Sequence, residues 1–365
     1  MTNRALIVVF ATAVNLVIAE GILQWMYPAP VYAIKYSPWG WEHIPNLTFR
    51  HVPDSRESQT SVTYSASGLR SAVDPSEVTP EGVLRIALLG DSETEGAVVE
   101  HRHTSSEVLE RALSQTLGTG NVSSYLRAEV LNAGVYSYEP CQMLRLFLER
   151  VKNFQPQLVY VIHNGKFSDN VFCNQKIGQL EFTDFSYTTI EYYFRWIVGY
   201  IRAKSQLANY LVRGIGRLTD NADNNLQQLP ARLFHYETQE IKLVEATPAL
   251  ESISWRKYTK TDSIGLKETQ TERESLTRLV YTRLQEAVSE YGGVMRVIFL
   301  SKSTNPRLEN ILYSAGIPFF DLEKMIEDNG QHLDRFPGNL HLNKRGHHTV
   351  GWSLAGIVTE IDLQQ

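Results

Sequence analysis

From residue 83 onward, short apolar runs alternate with amphipathic stretches, and this alternation constrains the fold more than any other feature of the chain. VLRIALLG is eight residues long, almost wholly apolar, and stops at Gly90. Thr104-Ser105-Ser106-Glu107 reads as a capping box, and VLERALSQTLG behind it has helical spacing. AEVLNAG is a second buried strand, CQMLRLFLERVKNF an amphipathic helix ended by Pro156, and LVYVIHNG a third strand. Later come the helix SLTRLVYTRLQEAVSEYG, the strands VMRVIFLS and IPFFDL, and a last helix that puts Leu354, Ile357, Val358 and Ile361 on one face. Apolar strands separated by helices require an α/β fold, a parallel sheet covered on both faces. Ligands in such sheets bind at the carboxyl ends of the strands, which selects the loops to inspect.

Two of those loops carry chemistry. Gly90-Asp91-Ser92-Glu93 follows the first strand directly, so the Ser92 hydroxyl points into the crevice and its N–H is placed to bind an oxyanion. Position 94 is Thr, so this is not the G-x-S-x-G elbow. Leu340-His341-Leu342-Asn343 precedes the last helix, and a nucleophilic serine needs a base of near-neutral pKa such as His341. The two side chains are expected within roughly 4 Å of each other, allowing for long apo geometry. His347 and His348 read as packing and surface residues, and His101 with His103 lacks a third metal ligand.

The flanking segments set the context. Residues 1–27 hold Arg4, an apolar run from Ala5 to Ala19, then Glu20 and GILQWMY. That pattern fits an uncleaved transmembrane anchor, a cleaved secretory signal or a buried core helix. In the first two readings the body of the protein is exported. Residues 28–80 read as an extension and linker without a convergent acid, base or ligand set. Residues of about 175–267 interrupt the alternation as a helical insertion. There TIEYYFRWIVGYIRAKSQLANYLVRGIGRL reads as one or two helices packed on the domain with a solvated basic side, the alternative being a lid or an interfacial helix. The net charge of −5, with no basic block, argues against nucleic acid as a partner. Cys141 and Cys173 follow consecutive strands, so a disulfide between them is expected, the alternative being two buried thiols.

Taken together, ALLGDSETEG, VLNAGVYSY and NLHLNKRGH resemble, in that order, the SGNH/GDSL hydrolase family, specifically its membrane-anchored bacterial members. The resemblance runs from about Trp39 to Ile361. It implies a flavodoxin-like three-layer α/β/α domain over 81–365, with Ser92 as nucleophile, His341 as general base and Gly134 as an oxyanion-hole donor. The family hydrolyses esters or moves acyl groups, often acetyl groups on carbohydrate, without a metal or other cofactor. It implies an ester or acylated-carbohydrate substrate, and a catalytic domain on the periplasmic or extracytoplasmic side of a bacterial membrane. Two departures stand out. The third block reads VIHNGKFSDN, where Asn164 is the nearest oxyanion-hole candidate. The aspartate expected before the histidine is replaced by Asn339 or Gly338, which leaves Asn339 or, alternatively, Asp334 to orient the imidazole. The resemblance implies an esterase, with an acyltransferase on exported polysaccharide or an impaired SGNH-fold binding protein as alternatives.

Overall fold

A computed structural model of the protein describes residues 3–26, 28–53, 58–118, 124–163, 165, 167–168, 171–176, 179–185, 187–219, 270–300, 306–338 and 340–363. Asn164, Asn339 and the polar stretch expected as loop within 221–269 lie outside the described residues.

Five parallel strands form the centre: β5 (Val83–Gly90), β6 (Arg127–Gly134), β7 (Leu158–His163), β10 (Val294–Phe299) and β11 (Phe319–Asp321). Their spatial order is β6-β5-β7-β10-β11. Numbered within the sheet this is 2-1-3-4-5, the flavodoxin-like doubly wound order, whose switch point lies between β5 and β7. Period-two side-chain alternation sends Ala87 and Leu89 to one face and Ile86 and Leu88 to the other. On the first face they meet α4 (Pro140–Glu149) and α7 (Gln270–Ser289) through Leu144, Phe147, Val280 and Leu284. On the second they meet α3 (Ser105–Leu117) and α10 (Lys344–Ile357) through Leu109, Leu113, Leu354 and Ile357. Both faces are therefore dry, and each fully buried Leu or Ile contributes roughly 1.5–3 kcal/mol. Helix α7 starts at Gln270, earlier than the apolar periodicity suggested, because its first turn is polar and carries Glu272.

Residues 28–80, expected as an extension and linker, include two hairpins, β1 (Ile34–Ser37) with β2 (Gly40–His43) and β3 (Leu47–His51) with β4 (Thr60–Tyr64). Val31, Ile44, Leu47, Phe49 and Val62 build a separate small core there that also takes in Ala97 of the main domain. Cys141 at the start of α4 is disulfide-bonded to Cys173, which opens the short strand β8 (Cys173–Lys176) paired with β9 (Gln179–Phe182), with the two Cα atoms 6.2 Å apart.

The apolar N-terminus is one helix, α1 (Asn3–Met26), long and apolar enough to cross a bilayer and with no buried residue among those described. The core-helix reading is thereby excluded. The insertion begins with two helices, α5 (Thr189–Lys204) and α6 (Gln206–Thr219). The expected solvated basic side on α5 is only partly present, since Arg195 donates to Tyr36 and Arg202 to Asn209 of α6, while Ile190, Tyr193, Phe194 and Ile197 are exposed.

Candidate active site

The site starts with a sharp turn. β5 ends at Gly90 and the chain enters the one-turn helix α2 (Ser92–Glu95), capped by Asp91, whose carboxylate accepts from Glu93 N–H at 3.0 Å. Gly96 closes the turn with φ 63. The turn tucks so tightly between strand ends that two positions exclude any side chain. A Cβ on Gly90 would lie 1.9 Å from Thr94 Oγ1, and one on Gly134 would lie 2.2 Å from Glu95 N. Asn132, one pleat back in β6, clamps the turn by donating from Nδ2 to Thr94 O at 2.9 Å and to Ser106 Oγ at 3.0 Å.

Ser92 Oγ and His341 Nε2 stand 2.9 Å apart, inside the separation expected from the sequence. With the ring proton on Nδ1, the Ser92 hydroxyl donates to Nε2, the arrangement in which a base can take its proton. The segment carrying His341 is held at several points. Phe336 N–H donates to His341 O at 2.8 Å, and Asn343 caps α10 through Arg345 N–H and Gly346 N–H. Leu340, just before the histidine, sits at φ 59, a left-handed conformation rare for a residue with a branched side chain.

The residue after the serine is what ties the two halves together. Glu93 Oε2 accepts from Leu342 N–H at 3.0 Å, and Glu93 Oε1 accepts from Arg335 Nη1 at 2.6 Å. Arg335 also donates to Leu340 O and Leu300 O, each at 3.0 Å. One carboxylate thus brackets the residues on either side of His341. Sequence gave no hint of this role, since the partners are more than 240 positions away and Glu93 reads as an ordinary helix-start acid.

Two expectations are corrected. Asp334 is not the orienter of His341. Its carboxylate lies 3.4 Å from His332 Nε2 and 3.4 Å from Arg345 Nε, so it is turned to two exposed side chains at the surface. The Gly134 N–H is not open to a ligand either. It donates to Asn132 Oδ1 at 3.1 Å, and the glycine is required there by the close approach of α2. Asn164 and Asn339, the other two expected site residues, lie outside the described residues.

The N-terminal hairpins complete the site. Tyr32, Phe49, His51, Pro53 and Tyr64 join Ala97, Val98 and Tyr136 around a cavity of about 40 Å³ that also contacts Ser92, Glu95 and His341. In the wall, Tyr64 O–H donates to Glu95 Oε1 at 2.5 Å and Tyr64 stacks on His43 with ring centroids 3.7 Å apart. His43 Nε2 stands 3.5 Å from the same carboxylate oxygen, at the outer limit of a hydrogen bond. Burial pushes the Glu95 carboxyl upward, but the His43 charge and bonds from His43 and Tyr64 outweigh it and hold it down at about 2. His51 is buried and keeps its ring neutral, with burial lowering its pKa to about 4 and Nδ1 donating to Val31 O at 3.0 Å. These wall residues carry no motif, and nothing in the sequence placed them over Ser92.

Ser137, in the loop after β6 beside Tyr136, holds φ 62. Relieving that left-handed strain by Ser137→Gly is expected to raise the unfolding free energy by about 0.5–1 kcal/mol. Denaturant midpoints at unchanged m value measure it, and a loss of stability would show that the hydroxyl contributes more than the backbone strain costs.

Among the described residues no group of three or more His, Cys, Asp or Glu side chains could hold a metal ion. No protein-family profile and no curated protein matches the chain. Solved structures similar to it include a lipase/acylhydrolase from Enterococcus faecalis, at 11% identity and TM-score 0.36, covering 75% of this chain and 95% of that one. An acetyl xylan esterase from Geobacillus stearothermophilus is 9% identical with TM-score 0.36, covering 78% of this chain and 99% of that one.

Proposed function

We propose that the protein is a serine acyl-ester hydrolase of the SGNH/GDSL type, held at a membrane by α1 with its catalytic domain outside the cytoplasm. The observation that carries the catalytic part is the 2.9 Å contact between Ser92 Oγ and His341 Nε2 at the carboxyl end of the sheet. In the proposed reaction Ser92 Oγ bonds to the ester carbonyl carbon while its proton passes to His341 Nε2. The carbon–oxygen bond to the alcohol then breaks, and His341 returns the proton to that alcohol as it leaves. Water adds to the acyl-enzyme by the same route reversed, freeing the acid and restoring Ser92. Ser92 N–H and the Asn164 amide are the proposed oxyanion donors. Gly134 N–H would join them only by giving up its bond to Asn132 Oδ1. Asn339 is the proposed orienter of the imidazole, in place of Asp334.

The cavity supports a small acyl group. At about 40 Å³ it has room for roughly three water-sized groups, the number of non-hydrogen atoms in an acetyl unit. The Cys141–Cys173 disulfide supports export, because such bonds persist in oxidising compartments.

A fluorophosphonate probe tests the reading. The intact chain is expected to be labelled at one residue, Ser92, by peptide mapping, and Ser92→Ala to take up none. Folded wild type that stays unlabelled would overturn the serine-nucleophile reading.

A further inference from the structure

Helix α5 is amphipathic in the wrong direction for a soluble domain. Ile190, Tyr193, Phe194, Ile197, Tyr200 and Ile201 fall on one stripe at helical spacing, and all are exposed, Ile190 at 81% and Phe194 at 65%. Hydrogen bonds from its other sides tie it to the N-terminal hairpins. Arg195 Nη1 donates to Tyr36 Oη, Lys35 Nζ donates to Tyr192 Oη at 2.8 Å, and Lys204 Nζ donates to Thr48 O at 2.6 Å. A contiguous apolar surface of this kind marks a contact with something apolar.

The position of α1 says what that is. Its polar contacts with the domain begin at Glu20, whose carboxylate accepts from Ser205 Oγ at 2.8 Å, Gln206 N–H at 2.7 Å and Leu207 N–H at 2.8 Å. Farther along, Arg50 Nη1 donates to Gln24 O at 3.1 Å. Glu20 thus caps the start of α6, which packs against α5. The stretch below this junction, Ala5–Ala19, is fifteen residues, or about 22 Å of helix at about 1.5 Å per residue. A bilayer's hydrocarbon core is about 30 Å thick, so roughly 8 Å of it falls beside residues already docked to the domain. Lipid at that height meets the α5–α6 pair.

We propose that the exposed stripe of α5 is a second membrane contact, seated in the boundary between headgroups and acyl chains of the leaflet that receives the last turns of α1. The inference rests on reading α1 as a bilayer anchor. Because α5 packs on β1, whose Ile34 lines the cavity, the contact holds the active site close above the lipid surface.

The test uses the full chain in phosphatidylcholine–phosphatidylglycerol vesicles. An environment-sensitive dye is attached at Phe194→Cys, at Leu16→Cys within α1, and at Tyr313→Cys, which is 82% exposed on α8 (Pro306–Ser314). The chain's own cysteines are joined to each other and do not react. The dye at 194 is expected to emit at shorter wavelength than at 313, to be quenched by headgroup-proximal nitroxide lipids, and to be quenched severalfold less by aqueous iodide. Lipid quenching at 16 but not at 194, with iodide reaching 194 and 313 equally, overturns the second contact and leaves the anchor standing. Absence of lipid quenching at both positions overturns the two together. Protection from iodide at 194 without lipid quenching, with ready formation of a 194–194 disulfide between chains, assigns the stripe to a second copy and overturns the proposal.

Discussion

Lowering the pH from 7 to 4 is expected to strip about 6 kcal/mol from the folded protein, a loss comparable in size to the 5–15 kcal/mol that holds a typical domain together. Two buried histidines are responsible. His51 is held down to about 4 by burial, against the opposing pull of Glu95 and the Val31 carbonyl, with His341 and Arg70 adding to the lowering. His347 is held down to about 3 by burial, with His341, Arg335 and Arg70 adding to it. Its geometry explains the direction. Ser105 N–H points at His347 Nδ1 from 3.3 Å and Ser105 Oγ lies 2.8 Å away, so Nδ1 is an acceptor. Protonating it would set two N–H groups against each other in a site with no solvent access. Both folded pKa values lie below the unfolded value of about 6.5, so the unfolded chain binds more protons between pH 6.5 and the folded values. Stability therefore falls as pH falls through that window, by about 2 kcal/mol per pH unit near pH 5.5 for the two together. Glu95, a carboxyl held down at about 2, adds its own loss only below about pH 4.5, as pH falls toward the folded value. Denaturant titrations at half-unit pH steps measure the slope. His51→Gln and His347→Gln should each remove about one proton from it, whatever they do to stability at pH 7. A slope near zero between pH 6.5 and 4.5 would show that these rings are charged in the folded state.

The sheet was readable from sequence because it rests on local rules. An eight-residue run ending at Gly90, apolar but for Arg85, can hardly be anything but a buried strand, and the capping of α3 by Thr104 is written in four adjacent positions. Ser92 and His341 were readable because each sits at the lip of an element that the pattern defines. What escaped was whatever depends on contact between distant segments. The bracket formed by Glu93, Arg335 and Leu342 joins two loops through side chains of ordinary type. Asp334 looked like an orienter by spacing alone, but its place on the surface beside His332 and Arg345 is decided by how the loop from Arg335 to Leu342 closes on itself. The cover over the cavity escaped for a similar reason. Residues 28–64 build most of a small core among themselves, so their place over the site appears only where that core takes in Ala97 of the main domain. The outward apolar stripe of α5 is visible as periodicity, but periodicity does not say which side faces the protein.

Replacing Ser92 by Ala and His341 by Ala should each lower kcat/KM toward a short-chain ester by at least about 10³-fold, and the double replacement should cost little more than either alone. The reason is that the two side chains perform one step. Without Nε2 the Ser92 hydroxyl keeps its proton and is a weak nucleophile at neutral pH, and without Oγ the base has nothing to activate. Their 2.9 Å contact is the physical unit, so free energies measured by removing its two ends should overlap rather than add. Glu93→Gln separates positioning from chemistry. It keeps an acceptor for Leu342 N–H but loses the charge facing Arg335, so it is expected to lower kcat by roughly tenfold while leaving KM nearly unchanged. Asp334→Asn, whose carboxylate faces His332 and Arg345, is expected to leave both constants as they are. Steady-state kinetics on the five variants decide the matter together. Additive losses in the Ser92/His341 double variant would mean that the two residues act independently. A large loss in Asp334→Asn would mean that the loop rearranges when substrate binds and brings that carboxylate to the imidazole.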